Sequence, residues 1–314
     1  MPRPHPLSGS DTRLAIVSIC AGVGFLVLND AIAKLLTESY NPVQIIGVRN
    51  WIALPIILAI LRIRSGRAGW RTRHLGIHAL RGALMLVGAF LYFSALRVMA
   101  LAEATALIFA APLFITLLSF PLLRERVDGW RWTAVLLGFS GVLLVVQPGS
   151  AAFQPASLLV LATASLYALF MILARYIQRD EGLWSMMLFV VLFPALYALP
   201  FLFAVWTPVR LMDLPLFLAI AALGSLGITL IGHAFRLAPA ALVAPFDYTA
   251  LIWASGLGWL VWGEIPGTWT LIGAAVIIAS GLLIIVREAQ QKPDGKKAGP
   301  IVDNQTTDQQ DHGA

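Results

Sequence analysis

The chain has 314 residues, of which 59% are hydrophobic and 12% charged, with a formal net charge of +6 and a mean hydropathy of +0.82. A water-soluble domain of this size needs far more polar surface, so this composition excludes a soluble globular protein. The positive charge lies in short stretches between apolar runs, as in membrane proteins, and so we predict no nucleic-acid partner.

The apolar runs are long and show no alternation at period two, which favours helices over a barrel because each membrane segment must satisfy its own backbone polar groups. We therefore predict an all-α polytopic membrane protein with ten transmembrane helices, most of them close to the roughly 20 residues that cross a bilayer. The predicted spans are 14–36, 43–61, 75–97, 101–122, 131–146, 156–175, 183–204, 214–236, 241–262 and 269–286.

The spans divide the chain into four parts. We predict a cytoplasmic N-terminal segment over 1–13, a first five-helix repeat over 14–146, a second over 156–286 and a disordered cytoplasmic tail over 288–314, which is rich in Gln, Asp, Lys and Gly. The first span also resembles a signal peptide ending near Ala31-Ile32-Ala33. We favour an uncleaved span, because cleavage would leave nine spans and break the repeat.

The distribution of Lys and Arg predicts the orientation. With the N-terminus in the cytoplasm, 17 of the 22 basic residues lie on the inner side and only Arg97 and Arg210 on the outer side. Because positive residues concentrate in cytoplasmic loops, we predict that both termini are cytoplasmic.

An internal repeat relates the two halves. A shift of 139 residues places Arg97 on Arg236, Glu125 on Glu264 and Trp130 on Trp269. Each repeat holds five spans, an odd number, so the two repeats must cross the membrane in opposite directions. Inverted repeats are a common plan of transporters, with the substrate site between the halves near the midplane.

Several motifs resemble those of the EamA-type drug/metabolite transporter superfamily. The stretches that carry the resemblance are Arg81-Gly82, Ala95-Leu96-Arg97, Leu101-Ala102-Glu103-Ala104-Thr105, Ala111-Pro112-Leu113-Phe114, Glu125-Arg126, Asp30 with Lys34, Arg49-Asn50, Pro245-Phe246 and Gly263-Glu264. The resemblance covers about residues 13–287. It implies a ten-helix fold with a central cavity in a bacterial inner membrane.

The resemblance also implies a secondary transporter that moves a small polar or charged metabolite by alternating access. The first-half motifs are most similar to those of members labelled S-adenosylmethionine uptake transporters. The alternatives are an exporter of amino acids or related metabolites, a riboflavin importer and a non-transporting membrane scaffold. Import and export use the same fold, so direction, coupling ion and substrate stay open.

Ionisable residues within the first spans are the first candidates for the substrate path, because each costs about 2.5–3.5 kcal/mol to insert and such residues usually face a cavity or a partner. Asp30 and Lys34 lie four residues apart and are expected to pair. Arg49 and Asn50 lie in the outer third of the second span, and Glu103 opens the fourth. Together they predict an outer vestibule of mixed charge, with a structural network or snorkelling to the interface as the alternative.

The third and eighth spans each carry a polar stripe at helical spacing. In the third span the stripe is Arg81, Met85, Gly88 and Tyr92, and it predicts either a cavity lining or a packing face. In the eighth span it is Ser225, Thr229, Gly232 and Arg236. His233 beside it is a weak candidate for ion coupling, as is Asp30.

The ninth span contributes an acidic residue and aromatic rings. Asp247 and Tyr248 follow Pro245, and Trp253 lies further along; the two rings are suited to a planar or cationic ligand, or to ordinary packing. Pro112 and Pro245 can open the hydrogen-bond ladder and bend the fourth and ninth spans, as a gate would need, or they serve helix packing.

Small residues in the fifth and tenth spans, among them Gly141, Gly273 and Ser280, predict helix packing or a homodimer contact. No nucleotide-binding loop, zinc-site or nucleophile motif occurs in the sequence. We therefore predict no enzyme activity, cofactor or metal, and a protein whose partners are a small-molecule substrate and the lipid bilayer.

Overall fold

In a computed structural model of the chain, residues 9–64, 72–123, 129–177 and 181–291 are described. These ranges form helices joined by short turns and contain no strand. The helices are α1 (Gly9–Thr37), α2 (Pro42–Arg64), α3 (Leu75–Leu96), α4 (Leu101–Ile108), α5 (Ala111–Leu123), α6 (Gly129–Val146), α7 (Ala156–Ile177), α8 (Leu183–Val205), α9 (Leu214–Leu237), α10 (Ala240–Val243), α11 (Ala250–Trp262) and α12 (Thr268–Gln291).

Nine segments within the described ranges are long and apolar enough to cross a membrane. The remaining predicted span, the ninth, is present but interrupted: α10, a 3-10 turn over Ala244–Thr249 and α11 follow one another through it. The predicted all-helical fold with ten spans is confirmed. Most of the tail predicted over 288–314 lies outside the described residues, since α12 ends at Gln291.

The fourth and ninth spans are the two that break. The fourth divides between α4 and α5 just before Pro112, and the ninth passes through a 3-10 turn that contains Pro245. Proline lacks the backbone N–H that an α-helix needs from its interior residues, so the ladder of hydrogen bonds opens at these points. The sequence predicted a bend in each of these spans, and the structure shows a full interruption in both, in corresponding spans of the two repeats.

The contacts between helices follow a two-fold pattern. Helix α1 packs against α9 and α3 packs against α7, and these two pairs exchange when the repeats are exchanged. The pairs α2 with α8 and α6 with α12 map onto themselves, as does α4 with α11. Every strong interface therefore joins one half of the molecule to the other.

Individual contacts between α6 and α12 confirm the spacing of 139 residues. A Cβ on Gly141 would lie 2.8 Å from the carbonyl oxygen of Gly273, and Ser280 Oγ donates a 2.5 Å hydrogen bond to the carbonyl oxygen of Ala134. Under the shift of 139 residues, position 134 corresponds to 273 and position 141 to 280. Exchanging the repeats therefore turns one of these two contacts into the other. The earlier residue of α6 contacts the later residue of α12, so the two helices are antiparallel. Because these helices are the fifth spans of the two repeats, the repeats are inverted. The small residues predicted for packing join these two helices.

A polar residue near the start of the second span of each repeat binds the loop that follows the second span of the other repeat. These residues are Gln44 in α2 and Glu181 just before α8. The Gln44 amide donates to the carbonyl oxygen of Thr207 at 2.6 Å and accepts from the Thr207 N–H at 2.9 Å. In the other half the Glu181 carboxylate accepts from Thr72 Oγ1 at 2.5 Å and from the Arg73 N–H at 3.0 Å. Burial alone would raise the pKa of Glu181, but these bonds hold it below its ordinary value.

Candidate functional site

A charged cluster lies inside the first half, in the part of α1, α2 and α3 that the predicted orientation places toward the outer side. The Tyr92 hydroxyl donates to Asp30 Oδ2 at 3.2 Å, and the Arg49 guanidinium is close enough to Asp30 to interact with it electrostatically. Arg49 also lies over the ring of Phe93, 5.9 Å from its centroid. Asp30 and Arg49 are half-buried, so both keep an open side on which a ligand can compete for their charges.

The expected pair of Asp30 with Lys34 is wrong. Lys34 instead forms an ion pair with Glu264, which follows the ninth span, and donates to the carbonyl oxygen of Met99 at 2.7 Å. Its ammonium group lies 4.8 Å from the ring centroid of Trp262. Glu264 was 230 residues away in the sequence, so helical spacing could not reveal it.

We call the contact of Lys34, Glu264, Met99 and Leu101 the outer clasp, after the side on which the predicted orientation places it. The second carboxylate oxygen of Glu264 accepts the Leu101 N–H at 2.9 Å, at the first turn of α4. The clasp therefore connects the end of the first span and the start of the fourth span, both in one half, to the residues just after the ninth span in the other half. Lys34 is only 7% exposed, and so it is committed to this contact rather than to an open vestibule.

A glycine gives Glu264 its position. Gly263 adopts a φ of 68°, the left-handed region that glycine enters without steric cost, and it ends α11. The Glu264 N–H then bonds back to the carbonyl oxygen of Gly258 at 3.0 Å. This turn directs the Glu264 side chain back along α11 toward α4 and Lys34.

The two broken spans meet at a pair of aromatic rings. Phe109, between α4 and α5, contacts Tyr248 of the 3-10 turn edge to face, with ring centroids 4.9 Å apart. These residues are 139 positions apart and are thus symmetry mates that touch each other. The two-fold axis therefore passes between them, at the level where both helices lose their regular hydrogen bonds. In inverted-repeat transporters this is the level of the substrate site.

Asp247 lies beside this pair, in the same 3-10 turn. Its side chain is exposed, and Tyr167 of α7 and Tyr248 are near enough to interact with it electrostatically. The turn also packs against α1, the helix that carries Asp30. Aromatic groups of both halves and the acidic Asp247 thus lie at the crossing of the broken spans.

The remaining predicted site residues fall into different environments. Trp253 packs its indole against Gly24 of α1, and Asn50 donates to the carbonyl oxygen of Ile46 in its own helix at 2.8 Å. Glu103 is half-buried near Lys34 and Glu264. His233 is half-buried in α9.

The two polar stripes also differ. In the third span, Gly88 accepts a hydrogen bond from Thr163 of α7 at 3.1 Å, so this face packs against the other half. In the eighth span, Ser225 and Thr229 donate to carbonyl oxygens of their own helix.

An all-helical protein with two inverted five-span repeats, two broken spans meeting on the axis and charged groups around them belongs to the class of membrane transporters. The comparison with known families agrees. The chain belongs to the EamA-like transporter family, which matches residues 13–147 and 154–286.

Several curated proteins are similar along most of their length. An S-adenosylmethionine uptake transporter from Rickettsia bellii (strain RML369-C) is 26% identical, covering 87% of this chain and 96% of that protein. A riboflavin transporter from Vibrio cholerae serotype O1 is 29% identical, covering 91% of this chain and 96% of that protein. The pseudopaline exporter CntI from Pseudomonas aeruginosa (strain UCBPP-PA14) is 26% identical, with coverage of 84% and 93%.

The fold also matches a solved structure. A crystal structure aligns with a TM-score of 0.58 over 91% of this chain and 100% of the solved chain, at 19% sequence identity. At this identity the match supports the fold alone.

Proposed function

We propose that this protein is a secondary carrier, and not an enzyme, that moves a small metabolite bearing charged groups across a bacterial inner membrane by alternating access. The observation that carries this proposal is the set of charged and aromatic side chains around the crossing of the two broken spans. Because insertion of Asp30, Arg49 and Asp247 is costly, they need a role inside the membrane, and contact with a polar cargo supplies one.

The arrangement favours a zwitterionic cargo with a planar ring. Arg49 offers a guanidinium to a carboxylate, while Asp30 and Asp247 offer carboxylates to a cation. The rings of Tyr248 and Trp253 are suited to stacking or to a cation–π contact. S-adenosylmethionine, the cargo named for the Rickettsia relative, carries all three features and is our first candidate. Export is the alternative direction, because one relative is named an exporter and an inverted repeat has no preferred sense.

Binding tests the cargo. We expect S-adenosylmethionine to raise the unfolding temperature of the purified protein in a saturable way, because a ligand of the folded state stabilises it. Riboflavin and free amino acids serve as competitors in the same assay. If only riboflavin raises the unfolding temperature, the proposal of a zwitterionic cargo is contradicted and a neutral planar cargo is favoured.

Transport in proteoliposomes tests the role of the charges. Asp30→Asn and Arg49→Gln should each lower flux at least about tenfold, since a lost charge-assisted contact costs about 1.5–3 kcal/mol. Glu38→Gln and Arg97→Gln are matched controls, because both side chains are exposed, and they should keep wild-type flux. Full flux in the Asp30 and Arg49 variants would refute this site.

The orientation is part of the proposal and has its own test. Reporter fusions after residue 149 should be active only outside the cytoplasm, and fusions within 62–74 only inside it. The reverse result would place both termini outside. A homodimer also stays a proposal, and sizing of the purified protein in lipid nanodiscs decides it.

A further inference from the structure

Two basic side chains of α3 are buried with several nitrogens that have no hydrogen-bond partner among the described residues. Arg81 is 3% exposed, and neither its Nε nor its Nη1 has a partner. His78, one turn earlier, is 1% exposed, and both of its ring nitrogens also lack a hydrogen bond. Side chains three residues apart on a helix share a face, so these unused donors lie side by side.

The groups packed around this pair do not satisfy it. The ring of Phe170 in α7 lies under the Arg81 guanidinium at 4.3 Å, and Phe189 in α8 lies 4.6 Å from the His78 ring; neither offers an acceptor oxygen. Glu181 Oε2 comes within 3.6 Å of His78 Nε2, which is near enough for an ion pair with a protonated ring but longer than a hydrogen bond; that carboxylate accepts hydrogen bonds from Thr72, Arg73 and Ser185.

A buried guanidinium with two unsatisfied nitrogens is expensive. Burying a charge without a partner costs several kcal/mol, and nearly all buried polar groups in proteins are hydrogen-bonded. A cation–π contact returns about 2 kcal/mol when desolvated and leaves the N–H groups unused. The balance therefore calls for an anion that binds during the working cycle.

The position of Arg81 relates this need to the transport path. Helices α3 and α7 belong to opposite halves, and the same face of α3 carries Tyr92 of the Asp30 cluster three turns further out. In the predicted orientation Arg81 lies toward the cytoplasmic end of α3. Arg81 and His78 therefore lie between the halves, on the inner side of the central site.

We propose that Arg81 and His78 form an inner anion site, which receives a carboxylate or phosphate group of the cargo as it passes between the central site and the cytoplasm. The planar guanidinium is suited to two parallel hydrogen bonds with such a group. This inference rests on the proposed transport function for the identity of the anion. The existence of the site does not depend on flux.

Inorganic phosphate is the probe. The full-length protein in phosphatidylcholine nanodiscs is heated at increasing phosphate, with chloride keeping the ionic strength constant. We expect a saturable rise in unfolding temperature for the wild type that is lost in Arg81→Gln. Arg97→Gln removes an exposed positive charge next to the end of the same helix and should keep the full rise.

Stability without phosphate separates binding from a structural role. Arg81→Gln removes an unpaired buried charge, so its unfolding temperature in chloride should equal or exceed that of the wild type. A marked decrease would show that Arg81 supports the fold and would overturn the proposal. His78→Gln is the second variant, and it should raise the half-saturating phosphate concentration at least about threefold.

Two further outcomes would also overturn the inference. One is an equal phosphate response in wild type and Arg81→Gln, or no saturable response in the wild type. The other is a stabilisation of the wild type by phosphatidylglycerol nanodiscs that requires Arg81 and abolishes the phosphate response, since the anion would then be a lipid headgroup. A protein that shows the predicted phosphate response but no flux would contradict the transport function and leave the site in place.

Discussion

Lys34 and Glu264 show how a single residue pair depends on its surroundings. Lys34 is almost fully enclosed, whereas the Glu264 side chain is 23% exposed and has a second bond from the Leu101 N–H. The sequence identified Lys34 as important because a lysine inside a span needs a reason. It could not identify the partner, because the acidic residues one helical turn away are Asp30, which is used by Tyr92 and Arg49, and Glu38, which is exposed just beyond α1.

The unequal burial of this pair predicts unequal effects of substitution. Glu264→Gln leaves an enclosed ammonium without its counter-ion and should destabilise the protein by about 3 kcal/mol, near the lower end for a broken buried pair. Lys34→Met should lower the free energy of unfolding by less, because the Glu264 carboxylate still accepts the Leu101 N–H and is partly exposed to solvent. Thermal unfolding of both variants measures the difference, and the double variant measures the coupling between them.

Equal effects of the two substitutions would contradict the described burial. A coupling close to zero would mean that the clasp is not an interaction in solution.

At the scale of the helices, composition and proline position predicted most of the architecture. The ten spans, the inverted repeat and the opening of the helix ladder near Pro112 and Pro245 follow from the sequence, whereas the full interruption of these spans does not. The helix partners do not, because apolar faces are nearly interchangeable by sequence, and close approach depends on which small residues face each other. Gly22 and Gly227, for example, meet across α1 and α9.

Close helix packing at Gly22 predicts a strong effect of one methyl group. A Cβ there would lie 2.9 Å from the backbone oxygen of Gly227, which cannot move aside without shifting α9. Gly22→Ala should therefore destabilise the protein by about 1–3 kcal/mol, as overpacking does elsewhere. Denaturant unfolding measures it.

Gly256→Ala in α11 is the matched control, since no atom lies within 4 Å of its added Cβ. It should be neutral or slightly stabilising. A neutral Gly22→Ala would show that α1 and α9 are further apart than described.

The loop contact at Glu181 predicts a dependence on pH. Because the folded protein holds the pKa of Glu181 below its ordinary value, the carboxylate contributes stability above that ordinary value, and the contribution is lost as the pH falls through the lower, folded-state pKa. Wild-type unfolding temperature should thus fall more steeply below about pH 4 than that of Glu181→Gln. The exposed Glu38→Gln should behave like the wild type, and parallel curves for all three would contradict the contact.

For the molecule as a whole, the sequence predicts the internal repeat, and the structure shows which residues of the two repeats contact each other. The shift of 139 residues was visible in a few matching positions, and the same shift relates Phe109 to Tyr248, which touch on the axis. What the sequence lacked was the distinction between residues that pair across the two halves, such as Lys34, and residues that stay half-buried within one half, such as Arg49. That distinction depends on side-chain partners from the other half.

Alternating access requires the outer clasp to open, and a removable lock tests this most directly. A Cβ on Gly258 lies 3.9 Å from Leu101 Cβ, the separation typical of a disulfide, and these residues join α11 to α4 across the two halves. Cys20 is the only native cysteine, so Cys20→Ala gives a clean background for Leu101→Cys with Gly258→Cys. The controls are the two variants that carry only Leu101→Cys or only Gly258→Cys in the same background.

The measurement is flux, in proteoliposomes, of the ligand identified by thermal shift, before and after oxidation. The double variant should lose flux when oxidised and regain it on reduction, while both single-cysteine controls transport under either condition. Full flux through the oxidised, fully cross-linked protein would contradict alternating access through this clasp.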